Sequence, residues 1–455
     1  MVEPSQPNND QVRQSQVSFK EAVRVWLKIA LNSFGGPAGQ IAVMHRYLVE
    51  EKGWISEGRF LHALNYCMLL PGPEAQQLAT YLGWLLHRAK GGLVAGSLFV
   101  LPGFLAILGL SVLYASFQDI TLVQALFYGL KPAVMAVVVG ALLKIGKRVI
   151  KNSWMILIAA LAFIAIFFFD TPFPLIVIVS ALVGFIGFRK WPEAFDVLKQ
   201  KGVEEDQDDI HSSVQPTLKR AIQVSALSLT LWFSPLIALG LWLGWDSVFV
   251  QIGLFFSQTA VVTFGGAYAV LAFIAQQAVE VFGWLQPGEM LDGLGMAETT
   301  PGPLIQVVQF VGFMGAYRNA APFDPTTAAI IGSLVTVWVT FVPCFFWIFL
   351  GAPYVEALRG HRALTASLST ITASVVGVIL NLAVWFSVHT LFSEVDESIW
   401  NGIHLTLPNW ATLDWMGLII ASISFVALIR FNISMMWTLL ASALIGMAYA
   451  LLFLN

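Results

Sequence analysis

The chain has 455 residues, of which 57% are hydrophobic and 11% charged, against roughly a quarter charged in soluble domains; this balance excludes an ordinary water-soluble protein. A net charge of -3 favours neither nucleic acid nor an acidic partner. The two cysteines, Cys67 and Cys344, lie far apart inside apolar runs, so no disulfide framework and no metal-ligand spacing is offered, and no cofactor is expected.

Residues 1–17 begin with MVEPSQPNNDQVRQSQ, which lacks an apolar core and a cleavage site and is expected to be a cytosolic tail. Apolar stretches then recur at the length of about 20 residues that a helix needs to cross the hydrocarbon, without the alternation of barrel strands. The predicted spans are 18–46, 59–87, 92–116, 121–146, 153–169 and 172–188, which form a repeat over 18–188. Residues 189–217 contain KQKGVEEDQDDIHSSVQP, with mixed charge and no apolar periodicity, and read as a cytoplasmic linker. An extra helix at 218–245 precedes a second repeat, 246–455, with spans at 247–276, 288–317, 326–351, 364–390, 412–429 and 433–453. The expectation is an all-α polytopic membrane protein of about thirteen helices.

The halves are related in sequence. Phe34-Gly35-Gly36 recurs at Phe264-Gly265-Gly266, Trp54 at Trp284, and Pro71-Gly72-Pro73 at Pro301-Gly302-Pro303, all with an offset of 230 residues. Glu50 with Glu280 and Gln76 with Gln306 keep that register, and LPG at Leu101 corresponds to VPC at Val342 after a small insertion. An odd number of spans between equivalent points makes the second copy inverted. Basic residues support this, because Lys and Arg concentrate in cytoplasmic loops. With the N-terminus inside and the C-terminus outside, Arg88, Lys90, Lys144, Lys147, Arg148, Lys151, Arg359, Arg362 and Arg430 are cytoplasmic, while Asp119, Asp170, Asp246, SEVDES and Asp414 are outside. Only loops 45–59 and 280–289 fail to agree clearly, and both follow an FGG element.

Inverted repeats around interrupted helices are the architecture of secondary transporters, whose substrate sites lie where broken helices meet. Pro73 and Pro303 suit the start of a new helix. That would free the N–H groups of Glu74, Ala75 and Gln76, and of Leu304, Ile305 and Gln306, at positive helix ends that favour anions. Gly36 and Pro37 repeat the device. Ser33, Thr263, Thr300, Gln76 and Gln306 are neutral donors around these breaks, whereas a cation site would want several carboxylates or carbonyls. Gly35, Gly36, Gly72, Gly265, Gly266 and Gly302 serve either the site or close helix packing. His45 and Arg46 either reach substrate or mark the membrane boundary, and Lys131 is either a buried counter-charge or an outer-interface residue. Glu74 and Glu298 are the candidate proton-coupling carboxylates; for Glu74 the competing reading is a plain carboxylate at a helix start.

The stretches FGGPAGQIAVMHRYLVEEKGWISE, LNYCMLLPGPEAQQLATYLGWLLHRAKGGLVAGSLFVLPG, TFGGAYAVL and TTPGP resemble the chromate ion transporter family, long-chain type with two fused halves. The resemblance runs from about Phe19 to the end. It implies efflux of chromate across the inner membrane as a resistance function, with sulfate as the related oxyanion and the lipid bilayer as surroundings; a homodimer stays open. Departures are that Leu304 stands opposite Glu74, and Ala275 and Gln276 opposite His45 and Arg46. Export of a dianion is favoured by an inside-negative potential, at roughly 2.3 kcal/mol per charge per 100 mV. A sulfate importer, an anion channel and an intramembrane enzyme are the alternatives, and the last lacks GxSG, HExxH, CxxC and a phosphate-binding loop.

Overall fold

The computed structural model describes residues 17–34, 36–68, 70–117, 120–195, 217–264, 267–352, 362–400 and 403–453. Its helices in chain order are α1 Phe19–Leu31, α2 Gly36–His45, α3 Glu57–Cys67, α4 Glu74–Phe117, α5 Thr121–Val149, α6 Ser153–Phe169, α7 Phe173–Lys190, α8 Pro192–Phe195 and α9 Leu218–Leu243. The second half continues with α10 Val248–Val262, α11 Ala267–Gln276, α12 Glu289–Thr299, α13 Val307–Arg318, α14 Pro325–Gly351, α15 Arg362–Leu391, α16 Trp415–Ile429 and α17 Met435–Phe453. Seven helices among the described residues are long and apolar enough to cross a membrane. Large apolar side chains such as Leu105, Leu161, Leu241 and Leu452 are exposed, as contact with lipid requires. The all-α polytopic expectation is met.

Local chemistry sets the helix ends. Ser18, Ser56, Thr217 and Asp324 each accept a hydrogen bond from an N–H of the first turn that follows, which satisfies one of the donors a helix start leaves free. The bond from Thr327 holds the Asp324 carboxyl below its ordinary range. At the far end of α1 the side chains turn on their own helix: Asn32 Nδ2 donates to Lys28 O at 2.8 Å and Ser33 Oγ to Ile29 O at 2.6 Å. These bonds occupy the last carbonyls and let the chain leave the helix.

The sequence repeat is a backbone repeat. A π turn at Arg46–Glu51 continues α2 and another at Gln277–Val281 continues α11. Lys52 N–H donates to Tyr47 O and Trp54 N–H to Leu48 O, while Phe282 N–H donates to Gln277 O and Trp284 N–H to Ala278 O. Gly53 at φ +59° and Gly283 at φ +61° follow the turns. Donors, acceptors and left-handed glycines all correspond at the offset of 230.

From hydropathy, 18–46 and 59–87 are each one span. The structure breaks both, and their ends return to one place. Lys52 Nζ lies 2.8 Å from Glu21 Oε1, and His87 Nε2 lies 2.9 Å from Val17 O. Helix α1, with 13 residues, is about 20 Å long, too short for about 30 Å of hydrocarbon. The first two stretches therefore double back as short legs. The second copy does the same: Arg318 Nη1 donates to Trp284 O at 2.6 Å, and the Phe249 and Phe323 rings are 5.8 Å apart. His87 and Arg88 leave helical geometry inside α4, and the remainder of α4 is a full-length helix.

One apolar core surrounds the second copy's legs and a separate one the first copy's. Helices α5 and α17 meet through Gly129 and Gly446, where a Cβ on Gly129 would lie 2.7 Å from Gly446 Cα; small residues permit such close approach. One element departs from the all-helical expectation. Strands β1 Val395–Trp400 and β2 Ile403–Pro408 form an antiparallel hairpin where an acidic loop was expected, and His404 Nδ1 on it sits 2.7 Å from Asp170 Oδ2.

Candidate functional site

The four breaks meet in pairs. Gly72 N–H donates to Thr263 O at 2.8 Å, and Gly302 N–H donates to Ser33 O at 2.9 Å. Thr263 is the counterpart of Ser33, and Gly302 that of Gly72, at the same offset of 230. Exchanging the two copies thus turns one bond into the other. The FGG break of each copy holds the PGP break of the other.

Glycine is required at the centre of each PGP turn. Gly72 has φ +120° and Gly302 φ +117°, a region that L side chains rarely adopt. A Cβ on Gly302 would lie 3.0 Å from Gly103 Cα, and one on Gly72 would lie 3.0 Å from Cys344 Sγ. Gly103 ends the LPG and Cys344 the VPC, so the correspondence read between those motifs is reproduced by what each packs against.

Pro303, with ψ 137°, is the residue before the helix rather than its first member, a small shift from the expected position. Its carbonyl accepts from Gln306 N–H at 2.8 Å, as that of Pro73 accepts from Gln77 N–H at 3.1 Å. Among the described residues no acceptor faces the N–H groups of Glu74, Ala75 and Gln76, or those of Leu304 and Ile305. The tight turn at 304–306 runs directly into α13, so both sets of N–H groups stand at helix starts. Each carries roughly half a positive charge.

The side chains play a different part from the expected one. Ser33 donates to Ile29 O, Thr263 to Thr259 O, and Thr300 to Met296 O. None of these hydroxyl protons is free. The glutamine amides are also committed: Gln40 Nε2 donates to Gly302 O at 2.6 Å, Gln76 Nε2 to Thr80 Oγ1 at 3.2 Å, Gln77 Nε2 to Pro71 O at 2.7 Å and Gln306 Nε2 to Gln309 Oε1 at 2.8 Å. Gln309 Nε2 in turn donates to Phe104 O, and Thr80 Oγ1 to Gln76 O. Since carbonyls can only accept, the partners fix which way the amides of Gln40, Gln77 and Gln309 point and, through Gln309, that of Gln306, while Gln76 follows from the proton that Thr80 gives to Gln76 O. One Nε2 proton of Gln76 and one of Gln306 are thus spent within the protein, leaving each amide one further N–H. Their oxygens, with those of Gln40 and Gln77, are buried without a partner, at a cost of about 1–3 kcal/mol for each group so stranded.

Glu74 opens the first PGP helix and is partly exposed; the charge acting on it is Arg148, whose guanidinium also reaches Met68 Sδ at 3.6 Å. Glu298 is 3% exposed and accepts from Tyr268 Oη, with its other oxygen unpartnered. Gly36 stands at the FGG break with φ +70°. Gly35, Gly265 and Gly266 lie outside the described residues. Two candidates are placed elsewhere. Arg46, with a side chain 50% exposed, pairs with Glu51 at 3.4 Å and covers the Tyr47 ring, and His45 bonds Glu50 and Glu57; both stand at the open end of the legs. Lys131 Nζ lies 3.4 Å from Asp292 Oδ2, bordering a cavity of ≈ 470 Å³ with Tyr114, Tyr128 and His389.

Hydropathy and motif reading missed the network beside that cavity. Tyr114 Oη donates to Asp292 Oδ2 at 2.9 Å, and Arg318 grips Glu289 with two bonds of 2.8 and 2.7 Å. A second cavity of ≈ 350 Å³ is bordered by Asp170, Gln276, Glu280, Trp385 and His404. Neither includes a residue of the four breaks. The crossing is nevertheless where unmet backbone donors, unmet acceptors and two carboxylates gather, so the chemistry points there rather than to the larger void.

The family model described as "Chromate transporter" matches residues 20–185 and 250–447. The unmatched interval contains the linker and all of α9. The chain is 29% identical over 365 residues to a chromate transport protein of Cupriavidus metallidurans, covering 80% of this chain and 81% of that one. It is 32% identical over 371 residues to a chromate transport protein of Pseudomonas aeruginosa, covering 80% of each. An uncharacterized transporter of Bacillus subtilis is 26% identical over 175 residues, which are 38% of this chain and 88% of that one. No solved structure matches.

Proposed function

The chain belongs to the chromate transporter family, and from that premise we propose that it exports chromate from the cytoplasm through the crossing of its four broken helices. The observation that carries the reading is the reciprocal pair of bonds, Gly72 to Thr263 and Gly302 to Ser33. Two equivalent breaks meeting at a common centre is how a transporter built from repeats forms one site that either side can reach. The backbone of Gly72, Glu74, Ala75 and Gln76, and that of Gly302 and Gln306, would line the path, with Ser33, Gly36, Thr263 and Thr300 holding the breaks in place.

The two copies are inverted in this reading. Helix α4 passes His87, beside the open ends of the first copy's legs, and reaches Tyr114, which touches Glu289 and Asp292 at the open ends of the second copy's legs. The legs of the two copies would then enter from opposite faces. Returning legs also move loop 45–59 to the cytoplasmic face and loop 280–289 to the outer face. Arg46, Lys52 and Arg59 fall inside and a loop without basic residues falls outside, so the two loops that disagreed with the charge rule now obey it. The repeats at 18–188 and 246–455, the linker at 189–217, the added helix at 218–245, the inner-membrane setting and the cytoplasmic N-terminus belong to the same proposal. A membrane-impermeant maleimide applied to intact cells is expected to label Gln286→Cys and to spare Glu21→Cys and Lys52→Cys. Labelling of either of the latter would reverse the assigned faces or separate the two ends.

An inside-negative potential drives an anion outward with roughly 2.3 kcal/mol per charge per 100 mV. Exchange for protons through Glu74 or Glu298 would add to that, and export would confer resistance. In inside-out vesicles, labelled chromate uptake is expected to saturate, to be faster with the lumen positive, and to respond to a pH gradient at fixed potential. Glu74→Gln is expected to weaken the pH response several-fold. Uptake that never saturates would mean a channel, and an unchanged pH response in both Glu74→Gln and Glu298→Gln would remove these carboxylates from coupling.

A further inference from the structure

We infer that the oxyanion crosses in its singly protonated form, its oxygens held by the free N–H groups after the two PGP turns and its O–H held by the side-chain oxygen of Gln76 or Gln306. This rests on the transport reading above and narrows the substrate to hydrogen chromate.

Charge balance comes first. Among the described residues the candidate cations are already engaged by carboxylates: Lys131 is on Asp292, Arg46 is on Glu51, and Arg148 acts on Glu74. What the turns offer is two helix starts of roughly half a unit each, close to one positive charge together. That matches a monoanion. A dianion would leave a whole charge uncompensated, and the cost of removing an ion from water grows steeply with its charge.

The second observation is the stranded acceptors. Gln76 is fully buried and Gln306 2% exposed, and each has an Oε1 without a donor. They are equivalent residues of the two copies, each within the first turn after its PGP. A bare dianion carries only acceptors, so it would face these oxygens lone pair to lone pair. A hydrogen anion supplies the missing donor and leaves its other oxygens for the backbone N–H groups. Chromate takes up its first proton near neutral pH, whereas sulfate does so only in strong acid. Sites built around a substrate O–H reject the analogue without it by roughly 10⁴-fold in favourable cases. The crossing would separate two tetrahedral anions of similar size by the proton one of them carries.

Other titratable or charged groups belong to the elements packed around the turns. They are Tyr66 and Cys67 on α3, Glu74 on α4, Arg148 on α5, Tyr268 on α11, Glu298 on α12 and Cys344 on α14. The test uses the full chain in proteoliposomes, with equal pH on both sides and the potential clamped. Labelled chromate flux is followed from mildly acid to mildly alkaline pH, with sulfate as competitor. The half-saturating total chromate is expected to rise about tenfold per pH unit above the hydrogen anion's own pKa, with maximal flux little changed. Sulfate is expected to compete at least 100-fold more weakly than chromate at neutral pH, roughly as a missing hydrogen bond requires. Glu74→Gln and Glu298→Gln should keep the slope, and Gln76→Met or Gln306→Met should flatten it. Saturable flux with a half-saturation independent of pH overturns the inference and leaves the transport reading standing, as does loss of the slope in a glutamate variant. So does sulfate competing as well as chromate, a comparison that needs no variant. Saturable flux that requires sodium at constant half-saturation would assign the free oxygens to a cation. Absence of saturable chromate flux at every pH overturns both readings.

Discussion

Gly302→Ala is expected to lower chromate flux per folded molecule by roughly a hundredfold. Two costs add. The backbone at φ +117° is strained for any L side chain by about 1–2 kcal/mol. The new methyl would sit 3.0 Å from Gly103 Cα and 3.4 Å from Gly103 N, and overpacking of this kind costs about 1–3 kcal/mol. The neighbour is backbone in a long helix, so it has no rotamer to change. Together these approach about 3 kcal/mol, which is the hundredfold. Gly103→Ala attacks the same contact from the other side, with Pro301 O at 2.7 Å, and is expected to match it. Gly72→Ala should be milder, because its crowding atoms are the ends of Cys344 and Gln77. Gly109→Ala, on the same helix as Gly103 with nothing within 4 Å, is the control and should transport normally. If Gly302→Ala does so too, the PGP turn is not part of the path.

The same contrast explains what could be read in the sequence. A left-handed glycine at a fixed turn is a one-residue requirement, as at Gly72 and Gly302, so PGP kept its register and, with FGG and Trp54 and Trp284, revealed the repeat. The breaks were legible for that reason. The return of the legs was not, since 18–46 has the length and apolarity of one span whether it crosses or doubles back; the decision lies in contacts such as Lys52 with Glu21. The chemistry of the glutamines was equally hidden. An amide is both donor and acceptor, and which end is spent depends on carbonyls distant in sequence: Gly302 O for Gln40 and Phe104 O for Gln309. Lys131 reads from sequence as either a buried counter-charge or an outer-interface residue because Asp292, its partner, lies far along the chain. The β-hairpin, by contrast, had a readable signal, because Asn401-Gly402 between β-branched and aromatic residues is a strong mark of a two-residue turn.

The largest effect on stability is expected at Arg318. Its guanidinium holds both oxygens of Glu289, at 2.7 and 2.8 Å, and its Nη1 also reaches Trp284 O. The Glu289 side chain is only 9% exposed. Arg318→Met would leave that carboxylate with the Gln286 N–H and a long contact from Tyr114. Stranding one member of a buried pair costs about 3–5 kcal/mol, and the thermal midpoint of the detergent-solubilised protein should fall accordingly. The double variant Arg318→Met/Glu289→Met removes both charges and is expected to recover most of the loss, because an apolar pair of similar volume avoids the desolvation that the ion pair had to offset. Additive losses in the two single variants would show that the residues do not act as a unit. The pair joins the start of α12 to the end of α13 and so closes the hairpin that carries the second PGP turn. Flux normalised to folded protein should therefore survive in the double variant, which separates this clamp from the crossing it supports.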